Sequence, residues 1–223
     1  MEEIAMYLNQ TNLQHHVKEH IHVYVFMTIL LLTGVIFGAI IVNSMSFVQK
    51  EDLYFQLDRY FHMANTENPI AYTDIVKRSF FFHMKYLLLL CLLGLTIIGL
   101  PVVWILVFIK GLVIGFSVGF IVNQLGLKGL LLATLSIAPQ NMIIIPIYII
   151  AASLAMIFSL RLIHKLFGRS YTKSIRKPFL QYISVFPILL TCALGGSLIE
   201  TFVSNEAFKA VLKTSLFIII NII

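Results

Sequence analysis

Ionisable side chains are nearly missing from the long apolar runs of this 223-residue chain, and that scarcity excludes most chemistry before any motif is sought. Charged residues make up 12% of the sequence and hydrophobic ones 59%, with a mean hydropathy of +0.94. A soluble domain cannot carry that balance on its surface. No Asp/Glu/His relay, paired carboxylates, phosphate-binding glycine loop or Ser-His arrangement falls within the runs, so neither proton pumping nor catalysis is expected. Cysteine is down to Cys91 and Cys192, each alone in an apolar run, which speaks against a disulfide and against a metal site. A cleavable signal peptide is also missing: the first apolar run starts past residue 20 and is long enough to stay as an uncleaved anchor. Neither a cofactor nor nucleic acid is expected as a ligand.

What the chain does have is a series of apolar runs, from about 22–43, 84–108, 111–123, 138–160 and 178–202. Each is near the roughly 20 residues that cross a bilayer as helix. The expected fold is therefore all-α, a polytopic integral membrane helix bundle of about five transmembrane helices, with a proline-broken half-helix before the fourth. The organisation expected is an N-terminal segment 1–21, spans at 22–43, 84–104 and 105–123, and an amphipathic loop 44–83 between the first two. A short re-entrant or interfacial helix 124–138 then precedes a fourth span 139–160. A basic loop 161–177, a fifth span 178–202 and an interfacial segment 203–223 complete the chain. The second and third runs abut, and the turn between them falls either at Gly99–Pro101 or around Lys110. The last stretch, "EAFKAVLKTSLFIIINII", is short, and reads as an interfacial helix or as a sixth span.

Orientation follows the bases of short loops. Arg161, Lys165, Arg169, Lys173, Arg176 and Lys177 occur with no acid among them, which places that loop and the N-terminus in the cytoplasm and the C-terminus outside. Lys77, Arg78 and Lys85 compete with this assignment from the other side, partly offset by Asp74. The recurrence of Arg161, Lys165, Arg169, Lys173 and Lys177 every four residues suits anionic lipid headgroups, although Gly168 and Pro178 interrupt it. In the outer loop, Phe47, Leu53, Leu57, Tyr60 and Phe61 stand at near-helical spacing and mark an amphipathic helix against the membrane or a partner.

Three patterns carry chemistry or packing. "HVKEH" places His16, Glu19 and His20 in the inverted zincin order, but it has no third ligand and no cleft, so a protease is a weak rival. Lys110 is the ionisable group nearest a span's interior, and Glu200 reads as a boundary residue. Gly34 and Gly38 form one G-x-x-x-G face and Gly111, Gly115 and Gly119 another, suited to close helix packing within the chain or in a homo-oligomer. Finally, Pro139, Gln140, Asn141 and Pro146 interrupt an apolar stretch. The expectation is a half-helix that stops at Pro139 and a span that starts near Pro146 or slightly before it, with the two amides bonding freed carbonyls.

The stretches "GVIFGAIIVNSMSFVQKEDL" (34–53), "KRSFFFHMKYLLLL" (77–90), "GLPVVWILVFIKGLVIGFSVGF" (99–120) and "APQNMIIIPIY" (138–148) resemble the bacterial stage II sporulation protein M family, across most of the chain. In that family the proline-bounded motif often has His after the first proline and Glu two before the second. Here Gln140 and Ile144 stand at those positions, so no proton-linked or metal-linked role is carried over. The resemblance implies a non-enzymatic membrane scaffold of the engulfment machinery of endospore-forming bacteria. It would assemble with sporulation proteins D and P, which degrade peptidoglycan, and hold them at the division septum as it thins and as the membrane migrates. The alternative from another class is a transporter or channel subunit with a path at the Pro139–Pro146 break.

Overall fold

A computed structural model describes residues 18–66, 72–167 and 176–199, and no strand occurs among them. Six helices follow in order: α1 (Ile21–Ser44), α2 (Phe47–Thr66), α3 (Tyr72–Gly94), α4 (Gly99–Ser136), α5 (Ala138–Phe167) and α6 (Arg176–Ile199). Four of them are long and apolar enough to cross a membrane: α1, the Gly99–Gln124 part of α4, α5 and α6. Helix is what a hydrocarbon solvent demands of such runs, because each N–H and C=O must find its partner inside the segment. The count is one short of the five expected. The run expected as a span over 84–104 is split between the end of α3 and the start of α4, and α3 carries Lys77, Arg78 and Lys85.

The boundaries have local causes. α1 stops where Met45 turns extended (φ −65°, ψ 139°) and its N–H donates back to the carbonyls of Ile41 and Val42. Ser46 and Gln49 then make a reciprocal pair that starts α2: the Ser46 N–H donates to Gln49 Oε1 at 3.0 Å and the Gln49 N–H to Ser46 Oγ at 3.4 Å. Between α3 and α4 the turn lies at 95–98, just before Gly99 and well away from both Lys110 and the 104/105 boundary expected. Thr96 organises it, its hydroxyl donating to the Leu93 carbonyl at 2.9 Å and accepting from the Gly99 N–H at 3.0 Å. Pro101 fits the first turn of α4 because that N–H would have no helical acceptor.

α4 is kinked at Gly126 (φ 58°, ψ −133°), which separates the span from the short helical piece beyond it. The expected stop at Pro139 and restart near Pro146 are corrected. The boundary between α4 and α5 lies two residues earlier, at Ile137, whose backbone stays right-handed helical (φ −94°, ψ −37°); Pro139 lies in the first turn of α5, and α5 continues through Pro146. A first-turn proline removes no helical bond, and Pro146 removes only the bond to the Met142 carbonyl while the turns on both sides persist.

α1 and α4 run parallel and face to face, while α3 and α4 form a hairpin about the 95–98 turn. Ser159 Oγ donates to the Thr96 carbonyl at 3.0 Å, so the C-terminal half of α5 returns to the same end as that turn. Arg161 Nη2, 3.2 Å from His20 Nε2, brings the start of α1 there too. α5 is the central helix: 56% of its span is buried, against 22–33% for the other three. Around it Leu87, Leu90, Val103, Val107 and Phe186 form the core together with its own Ala155.

Candidate functional site: a cationic and aromatic cluster at mid-height

Three helices bring their most polar interior residues to one level. His83 lies eleven residues before Gly94, Lys110 eleven after Gly99, and Tyr148 eleven before Ser159, all measured from the same turn. At about 1.5 Å per residue each is roughly 16 Å from the turn, near the middle of a core about 30 Å thick. There the Lys110 Nζ sits 4.9 Å from the ring centroid of Tyr148, 5.2 Å from that of Phe82 and 5.8 Å from that of Tyr86. His83 Nδ1 and the Tyr148 hydroxyl share a hydrogen bond whose donor is set by the imidazole tautomer. Tyr86 donates to the Leu106 carbonyl at 2.9 Å and lays its ring 4.4 Å from that of Tyr148.

Tyr148 is 1% exposed and His83 7%, so this pair is closed off by the bundle, while Phe82, 60% exposed, stands at the outer edge of the cluster. Ring faces carry partial negative charge, and in a water-poor place such contacts hold a cation by about 2 kcal/mol. Its chemistry is thus the retention of a lysine inside a bundle, with a buried His–Tyr pair beside it. No group of His, Cys, Asp and Glu able to hold a metal occurs among the described residues. Lys110 is legible in the sequence, whereas His83, Tyr86 and Tyr148 emerge only from the structure. The signal was tyrosine, a ring with a polar tip, placed inside otherwise apolar runs.

The glycines meet in a second region. A Cβ on Gly34 would lie 2.3 Å from the Phe108 carbonyl oxygen, and one on Gly38 2.2 Å from that of Leu112. From the other helix, a Cβ on Gly111 would lie 2.1 Å from the Leu31 oxygen and one on Gly115 2.0 Å from that of Val35. Gly119 is looser, 3.2 Å from the Ala39 Cα. Backbone thus touches backbone along the α1–α4 seam, within one chain.

At the start of α5, the Asn141 side-chain amide donates to the Ile137 carbonyl at 2.9 Å. Gln140 Oε1 is buried with no partner, and Ile144, one turn on, is buried with its Cδ1 in the space that a Cβ on Gly196 would take. On α2, Phe47 is 80% exposed and Leu53 half-buried; the side chains of Leu57, Tyr60 and Phe61 lie outside the described residues. Among the basic residues, Arg161 is exposed and Lys165 half-buried. Arg169, Lys173 and the side chain of Lys177 lie outside the described residues, as do His16, Glu200 and the whole 200–223 segment.

A family model described as Stage II sporulation protein M matches residues 27–205. Neither a curated protein nor a solved structure matches the chain significantly.

Proposed function

The chain belongs to the stage II sporulation protein M family, a sporulation-related membrane protein, and from that premise we propose that it is a non-enzymatic anchor for a peptidoglycan-degrading complex. The observation that carries this reading is α2. This amphipathic helix, started by its own Ser46–Gln49 pair, enters no packed helix pair among the described residues and exposes Phe47, Val48 and Phe55. A helix that exposes large apolar side chains at the edge of a bundle offers them to something else.

In this reading α2 lies on the outer face of the membrane and receives the cell-wall hydrolases, sporulation proteins D and P, at the septum during engulfment. The basic end with Arg161 and Lys165 faces the cytoplasm and its anionic lipids. α3 is the fifth crossing, supported by its packing against α4, α5 and α6 and by the shared level of His83, Lys110 and Tyr148. With five crossings the two ends of the bundle alternate, which puts α2 opposite the basic loop.

The test is capture from sporulating cells of the detergent-solubilised full chain, wild type against Phe47→Ser with Phe55→Ser, at equal membrane content. The expected result is that wild type retains cell-wall hydrolases and the double variant loses them. Wild type that retains none refutes the anchor.

A further inference from the structure

Arg78, Phe81, Lys85, Leu88 and Leu92 follow one another at alternating spacings of three and four along α3, so they share one side of the helix. All five are exposed. An exposed apolar face is ordinary in lipid, and α1 has one in Ile29, Leu32, Ile36 and Ile40, with no charged residue anywhere along the helix. The α3 face differs by Lys85. This residue lies nine positions before Gly94, so it stands about 14 Å from the turn, near the middle of the membrane. Lysines reach headgroups from positions near helix ends, and charges at this depth otherwise face a bundle interior or a partner. Lys110, at nearly the same depth, obeys that rule by lying over three rings inside the bundle, whereas Lys85 points out of it.

Something other than lipid therefore covers this face, and charge identifies it. None of the chain's ten acidic residues falls within α1, α4, α5 or α6. A second copy docked through the same side about a two-fold axis would set Lys85 against Lys85. The apolar end of the chain, 207–223, contains Lys209 and Lys213 but no acid, and Glu206, just ahead of it, would stand at an end of that stretch and not at the depth of Lys85. We infer that the Phe81–Lys85–Leu88–Leu92 face of α3 docks a membrane helix of a different chain, which presents an Asp or Glu at the level of Lys85. The apolar residues on either side supply the packing, and the ion pair sets register and partner choice. This rests on α3 being a crossing, as proposed above.

The experiment places a photo-crosslinking amino acid at Leu88 of the full chain, in the membranes of cells that make it natively, with the same group at Ile36 on α1 as reference. Expected is a discrete adduct at Leu88 whose crosslinked peptide is a membrane helix of another chain containing Asp or Glu, and only lipid at Ile36. Lys85→Gln lowers the adduct by about three- to tenfold, the range for one polar contact between membrane helices. Lys85→Glu abolishes it, and lysine in place of the partner's carboxylate restores it. An adduct to lipid alone, to a second copy or to residues 200–223, or an adduct indifferent to Lys85→Gln, overturns the docking inference. A separate reading protects the distinction from the crossing itself: Leu88→Cys, in a chain with Cys91 and Cys192 replaced by alanine, is treated with a membrane-impermeant maleimide from each side. Fast labelling overturns the crossing and the inference together, whereas protection without a hetero-adduct overturns only the inference.

Discussion

The α1–α4 seam and the junction of α3, α4 and α5 solve the same problem by opposite means. In the seam four glycines remove side chains so that carbonyl oxygens of one helix approach the Cα atoms of the other. In the junction the helices stand apart and large side chains fill the gap, with Tyr86 and Tyr148 turning polar tips toward a carbonyl and a histidine around the Lys110 cation. Helices in lipid gain nothing from hiding oil from water, so association rests on dispersion contact and on satisfied polar groups. The seam relies on the first and is intolerant of size. The junction draws on both and is sensitive to chemistry.

The comparison breaks most severely at Gly115. Leucine there would drive a Cβ into the Val35 carbonyl, which is backbone and cannot move aside, so Gly115→Leu is expected to cost about 3 kcal/mol or more. A thermal-unfolding series on the solubilised protein checks it. At the junction, Tyr148→Phe keeps the ring and the shape but leaves a buried imidazole nitrogen without its partner, at a cost of about 1–3 kcal/mol. Adding His83→Leu removes both halves of the pair, and denaturant titration of the double variant is expected to recover most of the loss. Size and chemistry are thereby separated, since no second substitution of that kind rescues Gly115→Leu.

Glycines outside the seam sharpen the comparison. Gly126 has open space around it, so Gly126→Ala tests backbone alone: a φ of 58° with ψ −133° is strained for any L residue, by about 1 kcal/mol. Gly195, also in open space but with a helical backbone, is expected to accept alanine with no loss, or with a gain of up to about 1 kcal/mol from helix propensity. Its neighbour Gly196 faces the Ile144 side chain and is expected to show a small loss under the same measurement.

Much of the helical content was legible because long apolar runs admit one backbone solution in lipid, and α1, α5 and α6 follow their runs closely. Where the structure departs from the expectation, local chemistry is the reason. Pro139 and Pro146 do not break the helix as expected, because a first-turn proline removes no helical bond and α5 carries the lost bond and ring crowding of Pro146 with intact turns on both sides. Of the two expected positions for the α3–α4 turn, the structure favours the Gly99–Pro101 side over Lys110, with the Thr96 hydroxyl setting it just before Gly99, at 95–98. Of the two amides expected to bond freed carbonyls, Asn141 donates to the Ile137 carbonyl, which also accepts the Asn141 backbone N–H, and Gln140 Oε1 is buried without a partner.

By itself the sequence determined that this is an all-helical membrane protein of the stage II sporulation protein M family, because apolar length and motif spacing are properties of the chain alone. Which surfaces meet was decided only by the tertiary structure. The glycine spacings of α1 and α4 define faces but not their partner, and parallel contact in register depends on where both helices start relative to one turn. Likewise, nothing in the chain order sets His83 beside Tyr148, 65 positions away, or places Lys110 over aromatic rings while Lys85 faces outward. Depth and direction are three-dimensional quantities, and in a membrane they decide what a charge is for.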